Sequence, residues 1–149
     1  MAEVSGGEKV VAYLKRLADA TKGELYVKAG FLDGATYPDG TSVATIAAGN
    51  EFGMPSRGQP PRPFFRRMIT QDSPTWSAAT AAALKASGND VHRALDLVGQ
   101  GIKGQLQQSI VDLTDPPLAA STVKAKGGVT KPLIDTGHML ASVDYEVVG

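Results

Sequence analysis

The longest regular pattern in the sequence is a stripe of apolar residues between positions 90 and 113. Its members recur at intervals of three and four residues, the spacing that places side chains on one face of an α-helix. They are Val91, Leu95, Val98, Ile102, Leu106, Ile110 and Leu113. A helix over residues 90–113, capped by Asn89 or Asp90, would be roughly 36 Å long. We therefore expect this helix to be the main element against which the rest of the chain packs.

Three glycines interrupt this helix at positions 99, 101 and 104. Glycine inside a helix costs up to about 1 kcal/mol relative to alanine. The pattern predicts a bend, or a close approach by a neighbouring helix or subunit. The same residues spell Gly-x-Gly-x-x-Gly, but a dinucleotide site requires that motif after a strand. The helical context excludes that interpretation.

The remaining periodicities indicate an α+β fold in a single domain of 149 residues. A capping-box pattern at Ser5 begins an amphipathic helix over residues 5–23. Strand periodicity follows over residues 24–32, and a short helix over 41–53 begins at Thr41 or Ser42. Residues 142–148 alternate as a final strand. We expect a small antiparallel or mixed sheet packed with the long helix and several shorter helices.

We expect the C-terminal segment to complete that sheet. Pro132 prevents helix in the preceding loop, and Asp135 or Thr136 caps a short helix that ends near Leu140. The final strand can then pair with the strand over residues 24–32.

Residues 54–63 hold four of the nine prolines. This density excludes a regular strand or a helix interior, so the segment is an extended arm or a wrapped loop. Pro63 suits the first position of a following helix, and Pro74 suits the start of a second one.

Composition excludes several classes of function. Fifteen basic and fifteen acidic residues give zero net charge, so no global field holds nucleic acid or an anionic membrane. The absence of cysteine excludes disulfides and thiolate zinc sites and fits a reducing cytoplasm. No apolar run approaches the ~18 residues of a membrane span. We expect a soluble protein.

Catalytic and metal motifs are not found. His92 and His138 lie in separate elements without metal-ligand spacing, and no phosphate-binding loop is present. Asp135, His138 and Ser142 are close in sequence, which is not the geometry of a catalytic triad. We predict no catalytic residue, no metal and no cofactor, and therefore no enzyme.

The candidate functional residues are instead suited to protein contacts. Glu51 and Phe52 could form an interface hook in which Phe52 is an apolar anchor. In the alternative interpretation the helix simply ends at Gly53 and Phe52 fills the core. Tyr37 lies in the Asp-Gly-rich loop over residues 33–40, which we expect to reach neighbouring molecules.

A cationic and aromatic cluster follows the hook. It consists of Arg57, Arg62, Arg66 and Arg67 interleaved with Phe64 and Phe65. Arginine suits carboxylates of a neighbouring subunit as well as phosphates. We rank contact with a partner subunit first, a solvated face second and DNA third.

Several segments in a fixed order carry a family resemblance. They are YVKAGFLDGATYPDG, SVATIAAGNEFG, PPRPFFRRMI, the long helix, PPLAASTVKAKG and KPLIDTGHMLASVDYEV. Together they cover residues 24–147 and resemble the tailed-bacteriophage neck and tail-completion proteins, which include the minor tail protein Z type. The most specific signatures are Asn-Glu-Phe-Gly leading into Pro-Arg-Pro-Phe, and the late Pro-Leu-Ile-Asp-Thr-Gly.

The resemblance implies a structural virion protein without catalysis. Such a subunit forms a homo-oligomeric ring, sixfold in the family, that caps the tail and joins it to the head. Its partners would be the tail terminator or tail tube and the head-connector proteins, with transient contact to passing DNA and none to a membrane. It would be made in the host cytoplasm and end in the virion neck.

Two other functions remain as alternatives. A nucleic-acid-binding module would use the arginines between positions 57 and 67 and would lose affinity steeply with salt. A small prophage hydrolase would need a clustered acid pair or metal set that the sequence lacks.

Overall fold

The structure is a computed structural model that describes residues 7–20 and 22–149. Its elements are α1 (Gly7–Ala20), β1 (Tyr26–Phe31), α2 (Val43–Phe52), a 3-10 turn (Pro55–Arg57), α3 (Phe64–Ala86), α4 (Val91–Asp112), α5 (Ala120–Ala125), α6 (His138–Ala141) and β2 (Val143–Val148). The α+β class is confirmed. The expected cap at Ser5 lies outside the described residues.

The two predicted strands pair with each other, as expected. β1 and β2 pair antiparallel, with Tyr26 opposite Val148 and Phe31 opposite Val143. On one face Val143 is fully buried. On the other face Lys28 and Glu146 form a cross-strand ion pair at 3.2 Å. The last residues therefore close the sheet.

Helices α3 and α4 form the largest helix pair and run antiparallel. Near the start of α3, the carbonyl of Phe64 accepts a hydrogen bond from Ser109 Oγ at 2.6 Å. Further along, Trp76 Nε1 donates to Gln105 Oε1 at 2.9 Å. The sheet packs on α4 as well, so α4 contacts both α3 and the sheet.

The core lies where α2, α3, α4 and the C-terminal segment meet. Its buried apolar residues are Val43, Ala47, Phe64, Met68, Leu106, Ile110, Leu113, Leu133, Met139 and Val143. Burying each of the larger side chains contributes roughly 1.5–3 kcal/mol. The C-terminal half of the predicted α4 stripe supplies three of these residues, and the earlier members of the stripe are half-buried.

Gly99 confirms the expected close approach within α4, but the neighbour is a strand. A Cβ at this position would overlap the ring of Tyr145 in β2. At Gly101 and Gly104 an added Cβ would meet no atom within 4 Å among the described residues. The expectation of a neighbouring helix is therefore wrong at Gly99.

The prediction of two helices around Pro74 is also wrong. α3 is continuous from Phe64 to Ala86 with Pro74 inside it. Proline removes one backbone hydrogen bond from a helix. The packing of Trp76 and Phe64 against α4 holds both halves in line and offsets that loss.

The proline-rich segment is a wrapped loop rather than an extended arm. Backbone hydrogen bonds at 2.9 and 3.1 Å join Met54 and Gln59, and the Arg62 N–H donates to the Asn50 carbonyl at 2.7 Å. Gly53 has φ 76°, and a Cβ there would lie 2.7 Å from the Pro61 nitrogen. The chain turns back because only glycine leaves room for the prolines.

The helix caps follow the sequence in part. Ser42 caps α2 through the Thr45 N–H, and Asp90 caps α4 through the Arg93 N–H. Before α6 the cap position is Gly137 in the left-handed region, and the expected Thr136 side chain accepts the N–H of His138, the first residue of the helix, at 3.4 Å.

Candidate protein interface

Glu51 at the end of α2 is a buried carboxylate, with 5% of its surface exposed. Its two oxygens accept the backbone N–H groups of Phe65 (2.9 Å) and Arg66 (3.2 Å) in the first turn of α3. Pro63, which precedes α3, has no side chain able to satisfy those groups. The positive end of the helix dipole also favours a carboxylate there. Glu51 therefore caps a helix that begins thirteen positions later.

The same carboxylate fixes an arginine at the surface. Arg66 Nε lies 2.7 Å from Glu51 Oε1, and Arg66 Nη2 donates to the Glu51 carbonyl at 3.2 Å. The Arg66 guanidinium lies 5.0 Å from the centre of the Phe52 ring. The Arg66 side chain is 58% exposed, so it is held in place without being buried.

Phe52 is 66% exposed, so the interpretation in which it fills the core is wrong. The residue instead forms one end of a groove of about 430 Å³, here called the Phe52 groove. Its lining residues are Ala29, Phe31, Ala44, Ala47, Ala48, Glu51, Phe52, Phe64, Phe65 and Arg66. Ala44, Ala48 and Phe52 recur every four residues on α2, so two small side chains lead up to a large one. The result is an apolar trough with an aromatic wall.

The remaining members of the arginine cluster differ in burial. Arg62 is buried, and its Nε donates to the Pro116 carbonyl at 3.4 Å. Burial lowers the pKa of Arg62 below its ordinary value. Arg57 and Arg67 are exposed, the first on the 3-10 turn and the second on α3. The fold thus removes Arg62 from the exposed arginines on which the nucleic-acid-binding alternative depends.

The two phenylalanines of the cluster also take different positions. Phe64 is fully buried and belongs to the core. Phe65 is half-buried, and its ring lies 3.3 Å from where a Cβ at Gly30 would be. Phe65 therefore serves as a wall of the Phe52 groove.

Tyr37 lies in a different concavity, a cleft of about 930 Å³ here called the Tyr37 cleft. The Tyr37 ring stacks on His138 with centroids 4.7 Å apart. His138 Nε2 lies 2.8 Å from the Thr36 carbonyl oxygen, an arrangement in which Nε2 carries the proton. Burial first, and then the charges of Asp135 and Asp39, raise the pKa of Tyr37.

His138 and Ser142 do not interact as they would in a catalytic triad. Ser142 Oγ donates to the backbone carbonyl of His138 at 2.7 Å rather than to its ring. Across residues 7–20 and 22–149, no group of three or more His, Asp and Glu side chains could hold a metal ion. The structure instead brings together Glu51, Phe52, Phe65 and Arg66 at the Phe52 groove.

Comparison with known proteins yields no relative. No family model, curated protein or solved structure matches the chain. Within the part of the chain that the structure describes, no helix is both long and apolar enough to cross a membrane.

The sequence alone indicated five of the groove's lining residues as candidates, but neither the groove itself nor the capping role of Glu51. The five are Glu51, Phe52, Phe64, Phe65 and Arg66. A signal for the cap was present, because the helix that starts with Phe64 follows Pro63 and has no capping residue of its own. A helix start without a cap predicts that a distant acceptor is needed.

Proposed function

We propose that the protein is a structural virion subunit of a tailed phage, a ring-forming neck or tail-completion protein that caps the tail and joins it to the head. The ordered resemblance of residues 24–147 supports this role. The observation that carries it is the exposed Phe52 ring, held beside Arg66 by a buried carboxylate.

This arrangement has the properties of a protein contact site. Aromatic and arginine side chains supply most of the binding energy in many interfaces, near the centre of a desolvated patch. A side chain that is already ordered loses less conformational entropy when a partner binds. The bonds to Glu51 order Arg66 in this way before any contact forms.

In the proposed role, the Phe52 groove receives an apolar projection from a neighbouring neck protein. The partners are the tail terminator or tail tube on one side and the head connector on the other. Ring formation by copies of the chain, with sixfold symmetry, is the assembly in which these contacts are made.

The role is tested by deleting the gene from the parent phage and examining lysates by electron microscopy. We expect full heads beside unjoined or abnormal tails, and joined particles when the chain is supplied in trans. Normal infectious particles from the deletion would contradict the structural role.

The Phe52→Ala variant tests the groove within the same assay. We expect it to fail in restoring joined particles, because the exposed aromatic anchor at one end of the groove is lost. Its free energy of unfolding, measured by thermal unfolding with circular dichroism, should stay within about 0.5 kcal/mol of that of the unmodified protein, since the side chain is largely exposed. Ile69→Ala, at another exposed apolar residue, is the matched control and should restore joining. Joining by Phe52→Ala at the control level would refute the role of the groove.

A further inference from the structure

Helix α1 presents an apolar face that no part of the chain described by the structure covers. Val10, Val11, Tyr13 and Leu14 lie on this face and are between 46 and 65% exposed. A helix of 14 residues is marginally stable in water when it stands alone. Helices of this kind gain their stability from packing the amphipathic face against another surface. α1 is therefore suited to docking on a second molecule.

The Tyr37 cleft has the matching chemistry. Ile46, Leu133 and Met139 supply apolar lining, and Asp39 and Asp135 lie at its exposed rim. Its volume of about 930 Å³ lies within the range of sites that enclose a ligand. A groove that is apolar inside and charged at the rim is the surface on which amphipathic helices bind.

The charges of the two surfaces are complementary. α1 carries Lys9, Lys15 and Arg16, and of its two acidic residues Asp19 already pairs with Lys22 at 2.6 Å. At the cleft the two aspartates outnumber one cation, Lys126.

The other polar groups at the cleft leave this excess of one negative charge unchanged. Lys126 Nζ is bound by the carbonyls of Lys131 (3.1 Å) and Ile134 (2.7 Å). The raised pKa of Tyr37 reflects the same carboxylates, after the larger effect of burial. His138 donates to a backbone carbonyl and contributes a ring face.

We propose that α1 of one copy docks in the Tyr37 cleft of a second copy of this chain. Each copy then gives a helix and receives one, a head-to-tail contact that closes into a ring when the rotation between copies permits. This inference names the contact within the proposed ring and so rests on the proposed function, but it is measured on purified protein without phage.

Pairing of two α1 helices with each other is a less favourable mode of association than docking of α1 in the Tyr37 cleft. Stable interfaces bury about 1,200–2,000 Å² in total. Two four-turn helices alone offer less than that area, whereas a helix in a cleft contacts walls on several sides. Pairing of α1 helices would also leave the charged rim of the cleft without a role.

Charge reversal on purified full-length protein tests the contact. One variant is Lys15→Glu with Arg16→Glu, and the other is Asp39→Lys with Asp135→Lys. We expect each alone to weaken self-association by about tenfold or more in sedimentation equilibrium at low salt, because like charges then face each other. An equimolar mixture of the two variants should associate again, because every α1 then meets a cleft of opposite charge.

A matched control uses Lys85→Glu with Arg93→Glu, two exposed residues away from both surfaces. It should associate like the unmodified protein. The inference is overturned if the unmodified protein stays monomeric at all concentrations, if reversal at the cleft has no effect, or if mixing fails to restore association. Circular dichroism melts establish that each variant is folded.

Cross-linking distinguishes the two modes of pairing. Because the sequence contains no cysteine, only the introduced cysteines react. Leu14→Cys protein is mixed with Ala141→Cys protein and treated with a short bis-maleimide. We expect a cross-linked dimer that contains one copy of each. A dimer from Leu14→Cys alone, at the same yield, would show α1 pairing and overturn the inference.

These results are independent of the phage assay. Association that follows the charges while the deletion phage assembles normally would uphold the contact and refute the neck role. A strictly monomeric protein that is nevertheless needed for joining would refute the contact between α1 and the cleft and uphold the role in joining head and tail.

Discussion

At the scale of single residues, the buried carboxylate of Glu51 holds the Phe52 groove together. It satisfies two N–H groups of α3 and orients Arg66. Removing a helix cap costs about 0.5–2 kcal/mol, and leaving a buried donor unsatisfied costs about 1–3 kcal/mol. A single side chain thus both stabilises the start of α3 and fixes the position of Arg66 at the groove.

The Glu51→Ala variant should therefore lose about 2–3 kcal/mol of unfolding free energy, since both N–H groups lose their acceptor. Urea unfolding followed by circular dichroism measures this loss. Glu51→Gln retains one acceptor oxygen and should lose less. Asp33→Ala, at an exposed loop carboxylate, is the control and should change little. Equal stability of Glu51→Ala and Asp33→Ala would show that the cap contributes nothing.

At the scale of elements, the three glycines of α4 have different surroundings. Gly99 lies against the Tyr145 ring, whose hydroxyl donates to Asp96 at 2.8 Å on the same helix. This contact lets the strand lie close to the helix. Gly101 and Gly104 have no such neighbour among the described residues, although all three look alike in sequence.

Alanine at each glycine should separate these roles. Gly99→Ala should destabilise the protein by about 1–3 kcal/mol, because the new methyl group overlaps the Tyr145 ring. Gly104→Ala should stabilise it by up to about 1 kcal/mol, because alanine is the better helix former and has room. Thermal unfolding measures both shifts. A stabilised Gly99→Ala would contradict the close packing of β2 on α4.

At the scale of the whole molecule, stability should be uneven along the chain. β2 lies at the end of the sequence but pairs with β1 and packs on α4. α1 lies at the other end and exposes its apolar face. Terminal segments differ in protection according to how firmly they are held by contacts.

Amide hydrogen exchange should show this difference. We expect residues 143–148 to be protected together with α4, and residues 7–16 to exchange rapidly in dilute protein. Raising the concentration should protect α1 as copies associate, and the Asp39→Lys with Asp135→Lys variant should abolish that gain. Rapid exchange of residues 143–148 would show that the C-terminal strand does not close the sheet.

Local sequence patterns were enough to predict the class of the fold and most of its local elements. The stripe of α4, the caps Ser42 and Asp90, and the strand after position 142 follow from short-range periodicity and capping chemistry. These features depend on residues within a few positions of each other. That is why they could be predicted without knowing what lies nearby in space.

Contacts between side chains that are distant in sequence could not be predicted in this way and follow from the packing of the whole chain. This packing placed Glu51 against α3, Tyr145 against Gly99, and Phe52 at the surface rather than in the core. It also kept α3 continuous through Pro74, because packing against α4 outweighs the lost hydrogen bond. Such outcomes depend on contacts between residues far apart in sequence, and no local pattern records the distance between them.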